Sequence, residues 1–235
     1  MTKFVIEVMG RLLDESAEER LALQWVVERS AERLGARAAG ALLADQANHL
    51  KVAAATSRSV LALQQLGAAS GEGPGQACFR DGKPVLVPDF SAAKKKWPQY
   101  ADKAGAVGIG AATSIPLHDR NSGRQLGVLS LFHARPRPMH EGQLAAALAL
   151  ADAVSLGLMR RWELQAVRRE NGQLLRALSS RVVIEQAKGV LAERWQTDVS
   201  TAFDVLRKHA RARQMRLAEA ARAVVEGEPG ADPLA

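Results

Sequence analysis

Apolar positions recur at helical spacing through the first part of the chain and then shorten into brief runs. Residues 3–13 and 17–34 read as helices. In the second, Leu21, Trp25, Val26, Ala31 and Leu34 fall three to five residues apart, and Gly35 is a natural stop. The apolar runs ARAAGALLAD (36–45) and HLKVAAAT (49–56), joined by Gln46-Ala47-Asn48, have the form of a hairpin. SRSVLALQQLG (57–67) is helical in pattern, with Ser57 or Ser59 as cap. The stretch 71–90 is loop-rich, with glycines at 71, 73, 75 and 82 and prolines at 74, 84 and 88. It holds a helix starting near Gln76 and the short strand PVLV. A polar helix follows at about 92–104, and residues 108–134 give two strands around DRNSG, the clearest hairpin in the chain.

From Glu141 to Arg194 there is no proline, and the only glycines are 142, 157, 172 and 189. The pattern predicts one long helix or two nearly end to end. Within it, Leu164, Val167, Asn171, Leu174 and Leu178 form a heptad seam with Asn171 at an a position. A buried asparagine there specifies a parallel two-stranded coiled coil in register. Two readings of the seam stand: it joins two copies of the chain, or it packs on the chain's own surface with Asn171 exposed. After Ser179 and Ser180, three short helices are predicted: 181–195, a second from the cap Asp198 to about 213, and a third over 215–226. The tail 228–235 is disordered by composition.

Charge divides the chain more sharply than hydropathy does. Residues 160–222 carry 14 Lys or Arg against 7 Asp or Glu, which accounts for the whole net charge of +7. A basic segment on a neutral one points to a polyanion-binding module or to a solvated, arginine-rich helix face. One cysteine, Cys78, excludes an internal disulfide and any CxxC motif. The five histidines have no metal-ligand partner at helical spacing, and GxSxG, Walker A and HExxH are absent. GEGPGQ carries a proline in its centre and no lysine for phosphate. Cys78 reads as a small buried hydrophobe. The chain is expected to bind rather than catalyse. Its first residues are not a signal peptide, and its most apolar stretch (144–158) is broken by Asp152, so no membrane span and a cytoplasmic location are expected.

Segment 181–227 resembles the ANTAR domain, the RNA-binding output module of bacterial antitermination regulators. The resemblance rests on Arg181, Ile184, Ala187-Lys188-Gly189, Leu191, Ala202-Phe203, Leu206-Arg207 and Ala210. Ala192 and Arg211 stand where methionines are common in the family. Residues 1–140 resemble a GAF domain, by the helix–hairpin–helix order, the GEGPGQACFRDGKPVLV stretch and the closing hairpin ending GVLSLFH. GAF followed by ANTAR is an actinobacterial pairing. The acidic pocket of the receiver domain that other members carry is missing here.

Together the resemblances imply an α+β fold: a GAF-type antiparallel sheet flanked by helices (1–140), a coiled-coil connector helix (141–180) and an all-α three-helix ANTAR bundle (181–227). They imply a homodimer binding paired hairpins in nascent transcripts, under control of a small-molecule or protein input at the GAF domain. No residue marks a nucleotide, haem or bilin there, so no cofactor is assigned. The implied RNA contacts are Lys188 and Arg207, with Arg181, Arg211, Arg213 and Arg216 as auxiliaries, and Ala187 and Gly189 as small residues letting a backbone come near. Ile184, Leu191, Ala202, Phe203, Leu206 and Ala210 read as module core. Gly189, which costs a helix about 1 kcal/mol relative to alanine, either leaves room for RNA or lets the next helix pack closely. The rival reading is a GAF sensing and dimerisation protein whose C-terminal helices dock a protein partner or DNA.

Overall fold

Two amphipathic helices open the chain in the computed structural model, which describes residues 2–14 and 16–228. Helix α1 (Thr2–Leu13) buries Phe4, Val8 and Leu12, one residue per turn. Helix α2 (Glu19–Arg33) buries Ala22, Leu23, Val26, Val27, Ser30 and Ala31. The buried stripe is rotated from the expected one: Leu21 is exposed, and Gly35 ends the helix region with a positive φ of 64°. Strands β1 (Ala38–Ala44) and β2 (Leu50–Ala55) follow. Their turn is held by the Asp45 carboxylate, which accepts from the N–H groups of Ala47 at 3.0 Å and His49 at 2.9 Å.

Helix α3 (Arg58–Ser70) is capped by Ser57, whose hydroxyl accepts from the Val60 N–H at 3.2 Å. Helix α4 (Pro74–Asp81) starts two residues before the position expected, because proline suits the first helical turn, where no N–H is needed. After β3 (Val85–Val87) the single polar helix expected at 92–104 proves to be two, α5 (Phe90–Ala93) and α6 (Pro98–Ala106). Pro98 restricts the residue before it and starts the second. Strands β4 (Ala111–His118) and β5 (Gln125–His133) complete an antiparallel sheet of order β2-β1-β5-β4-β3.

The sheet is covered on both faces, which is why β4 and β5 are buried along nearly their whole length. Ala39, Ala41, Ile115, Leu117, Leu129 and Leu131 pack with α1 and α2. The opposite face carries Ala38, Ala112 and Phe132 against α3, α4 and α6, with Leu42, Cys78 and Val128 alongside.

Helix α7 (Glu141–Arg194) is one uninterrupted element of 54 residues. There is no break after Ser179 and Ser180, so the helix expected to begin at 181 is the last part of α7 and not a separate segment. The chain divides into two compact units, 1–163 and 164–235. The start of α7 therefore belongs to the first unit, past the boundary at 140 drawn from sequence. An 18-residue window of α7 is long and apolar enough to cross a membrane by composition, with mean hydropathy 1.5. Its apolar residues Ala147, Leu150, Ala151, Val154 and Leu158 are nevertheless spent inside the sheet domain's core. Asp152, which interrupts that run, turns outward to pair with Arg120 on the β4–β5 turn.

Gly157 lets α7 approach α1 closely, since a Cβ there would lie 2.9 Å from the Cβ of Leu12. One turn on, the Arg161 guanidinium is buried and donates to the carbonyls of Leu12 (3.2 Å), Asp14 (3.0 Å) and Ala17. Trp162 adds a bond from its indole N–H to Glu19 at 2.7 Å. Arg161 thus ties the end of α1 and the α1–α2 connection to α7.

In the second unit the end of α7 packs with α8 (Val199–Ala212) and α9 (Leu217–Glu226). The core is Ala187, Leu191, Ala202, Leu206, Ala210, Ala220, Ala221, Ala223 and Val224. So many alanines let the helices lie close. Asp198 caps α8, accepting from the N–H groups of Ser200 and Thr201, both at 2.9 Å. The hydrogen bonds to its carboxylate hold Asp198 below the usual aspartate range. Of the expected tail, residues 229–235 lie outside the described residues.

Replacing Arg161 by methionine should destabilise the first unit by about 3 kcal/mol, since three carbonyls lose a charged donor. Urea unfolding followed by circular dichroism measures this.

Candidate nucleic-acid interface

The last turns of α7 and the middle of α8 bring Lys188, Phe203 and Arg207 together. The Lys188 ammonium lies 5.4 Å from the centre of the Phe203 ring, and the Arg207 guanidinium 5.9 Å from it. Each cation also holds a carboxylate on its own helix. Lys188 Nζ donates to the Glu185 oxygens at 2.8 and 3.0 Å, and Arg207 donates to Asp204 at 3.0 Å. Lys188 is the more sheltered, its side chain 18% exposed. Pairs of this kind, three residues apart on an exposed helix, contribute little to stability. A phosphate can therefore replace the carboxylate at small cost, while the ring keeps both cations in place.

The structure corrects one residue of the expected contact set. Ala187 is fully buried in the helical core and cannot meet a ligand. Its smallness serves the packing of α7 on the module. Gly189 is the reverse case: it is exposed, and a Cβ built on it would meet nothing within 4 Å. Close packing by the next helix is thus not the reason for the glycine. Arg181, Arg211, Arg213 and Arg216 are all exposed. Arg213 closes the end of α8 and Arg216 opens α9, so these two belong to the turn and not to the Phe203 cluster.

Leu191, Ala202, Leu206 and Ala210 are buried core, as their pattern implied, whereas Phe203 and Ile184 are only partly buried. Phe203 is the residue that sequence reasoning misplaced. Its apolar character at core spacing hid its position between two cations, and only a basic residue four positions later hinted at it.

The heptad positions are open. Leu164, Val167, Asn171, Leu174 and Leu178 are all exposed, and the stripe widens to include Leu175 and Val182. Leu174, Leu175 and Leu178 are 62%, 66% and 60% exposed. Within the second unit, nothing among the described residues covers the seam.

In the first unit, the space between the sheet and the 71–90 segment is occupied by side chains. The Tyr100 ring lies against Gly73, where a Cβ would come within 2.6 Å of it, and Cys78 is completely buried. Burial pushes the Cys78 thiol up to about 12, so it is protonated at neutral pH. Gln64 is buried beneath Gly40 with no hydrogen-bond partner for its amide among the described residues. A cavity of about 160 Å³ lies elsewhere, lined by β3 and β4 residues with His133 and Arg137. Burial first, then Arg137, hold His133 below the usual histidine range.

The first unit is thus a five-stranded antiparallel sheet with helices on both faces, and the second a basic helical unit. The GAF domain profile matches residues 17–159, more than half of the chain, which therefore belongs to the GAF domain family. The ANTAR domain profile matches residues 172–225, starting at Gly172 where the resemblance read from sequence started at Arg181. The protein is a GAF plus ANTAR regulator.

Solved structures agree on the fold of the first part. The domain of a putative two-component sensor histidine kinase protein from Sinorhizobium meliloti 1021 is 19% identical, with a TM-score of 0.53 over 65% of this chain and 98% of that one. The GAF domain region of a putative membrane protein from Geobacter sulfurreducens PCA is 18% identical, with a TM-score of 0.51 over 65% and 98%. The free methionine-R-sulfoxide reductase from Neisseria meningitidis is 17% identical, with a TM-score of 0.52 over 68% and 89%. No curated protein matches the chain.

Because Gly189 sits in an open helical position, Gly189→Ala should stabilise the C-terminal unit by about 0.5–1 kcal/mol. A raised melting temperature in a thermal scan checks it; a lowered one would mean that hidden packing needs the space.

Proposed function

We propose that the protein is a homodimeric RNA-binding antitermination regulator. Its ANTAR modules bind paired hairpins in nascent transcripts, and its GAF domain tunes that binding through a small-molecule or protein input. The observation that carries the reading is the ANTAR match over helices that hold Lys188 and Arg207 against one half-exposed ring. RNA loops offer phosphates and unstacked bases, and cations beside an aromatic edge suit both. Gly189, open and next to Lys188, leaves room for a strand to approach.

The exposed leucine stripe supports dimerisation. A stripe of this kind on a helix with no neighbour covering it calls for a second apolar surface. Asn171 among the leucines favours a parallel pair in register. Two linked modules bind two hairpins with an avidity that neither has alone. The action is binding and not catalysis, in keeping with a protonated, buried Cys78. A cytoplasmic location is where nascent RNA would be met.

The RNA reading is tested by gel shift with stem–loop RNA. Lys188→Ala combined with Arg207→Ala should abolish the shift at physiological salt while the circular dichroism spectrum is retained. An unchanged shift would remove these residues from the site. Binding that ignores salt would favour instead a protein-docking role for the C-terminal helices, because phosphate contacts require a steep salt dependence.

The dimer is tested separately. Leu174→Glu with Leu178→Glu should give a monomer by light scattering. Its affinity for a two-hairpin RNA should drop by about 100-fold or more, with single-hairpin affinity nearly unchanged.

A further inference from the structure

A second set of cations in the C-terminal unit lies away from Phe203. Between α7 and α9 runs a cleft of about 620 Å³, lined by Arg176, Ser179, Ser180, Arg216, Glu219 and Arg222. Where Lys188 and Arg207 each hold a carboxylate, among the described residues no carboxylate pairs with Arg176, Arg216 or Arg222. The one acid in the cleft, Glu219, accepts from the backbone N–H of Arg216 at 3.1 Å and caps α9. Three arginines and two serines thus line the cleft together with one carboxylate that is already engaged.

The placement on α7 matters as much as the charge. Counting from Leu164 at a, Arg176, Ser179 and Ser180 fall at f, b and c, on the side of the helix away from the seam. Arg176 and Ser180 continue the row that further on becomes Val183 and Ala187, which face the module's core. Leu175 and Ala177, at e and g beside the seam, also line the cleft, so a second copy on the seam borders it and leaves Arg176, Ser179 and Ser180 on the far side. Every residue that lines it also lies inside the ANTAR match. The volume suits a group of nucleotide size.

We propose that this cleft takes the phosphodiester backbone of an RNA strand, a second RNA contact separate from the Lys188–Arg207 face. Guanidinium forks grip phosphate oxygens in pairs, and serine hydroxyls donate to the same oxygens. The cleft anchors the flank of a hairpin whatever its sequence, while the Phe203 face meets the loop. This inference rests on the RNA-binding reading above.

The test titrates the full-length protein with a pool of stem–loop RNAs with randomised loops over a range of potassium chloride concentrations. Arg176→Gln with Arg222→Gln removes two phosphate contacts. The salt slope should become shallower by about 1.4–1.8, and affinity at physiological salt should fall by about 15- to 30-fold. Both side chains are exposed, so the melting temperature should match that of the wild type. Should it fall, Arg176→Lys with Arg222→Lys decides the matter: retained slope with weakened binding supports the cleft, and wild-type binding overturns it. Wild-type affinity and slope in the glutamine variant, alongside weakened binding by Lys188→Ala with Arg207→Ala, overturn the cleft and leave the RNA reading intact. A wild-type protein that binds no RNA in the pool overturns both. Binding to phosphatidylglycerol vesicles that needs Arg176 and Arg222, with RNA binding unaffected by their loss, assigns the cleft to lipid and overturns the proposal.

Discussion

One unbroken run of helical hydrogen bonds, from Glu141 to Arg194, is a component of both hydrophobic cores. Everything else depends on its continuity. Ala147, Leu150, Val154 and Leu158 complete the sheet domain, and Ala187 and Leu191 complete the helical module. A proline anywhere between would break the ladder and separate sensor from output. Between the two cores, the helix is exposed on every side, and its leucines gather on one stripe. That middle section belongs to neither core, and its apolar face is the surface on which the proposed dimer rests.

The attachment of α7 to the sheet domain is polar as well as apolar. Arg161 holds three carbonyls at the α1–α2 connection, and Gly157 removes the side chain that would keep α1 away. A buried arginine of this kind is costly to leave unpaired, so it fixes where α7 can lie against α1. α7 is the segment that continues from this junction into the second unit.

In the output module, charge is held ready and not simply displayed. Lys188 and Arg207 are matched by Glu185 and Asp204 and stacked on Phe203, while Arg176, Arg216 and Arg222 are left without acids. Five of the 14 basic residues of 160–222 thus fall on two surfaces of different character.

Much of this was legible in the sequence. The short apolar runs of the strands, the DRNSG turn, the Asp198 cap, the absence of proline from 141 to 194 and the heptad leucines are local properties, set by backbone geometry and periodicity. So is the spaced pattern from Arg181 to Ala210 that marks the ANTAR helices. What only tertiary structure decided is which neighbour each side chain meets. Ala187 and Phe203 exchanged roles, one entering the core and the other coming to rest between two cations, because periodicity names a face but not what lies against it. Gly189 proved open for the same reason. Arg176 and Arg222 stand almost fifty residues apart, and nothing in their local sequence sets them apart from other helix arginines. They line one cleft because α9 folds back beside α7, and a charge pattern along a chain carries no record of that return.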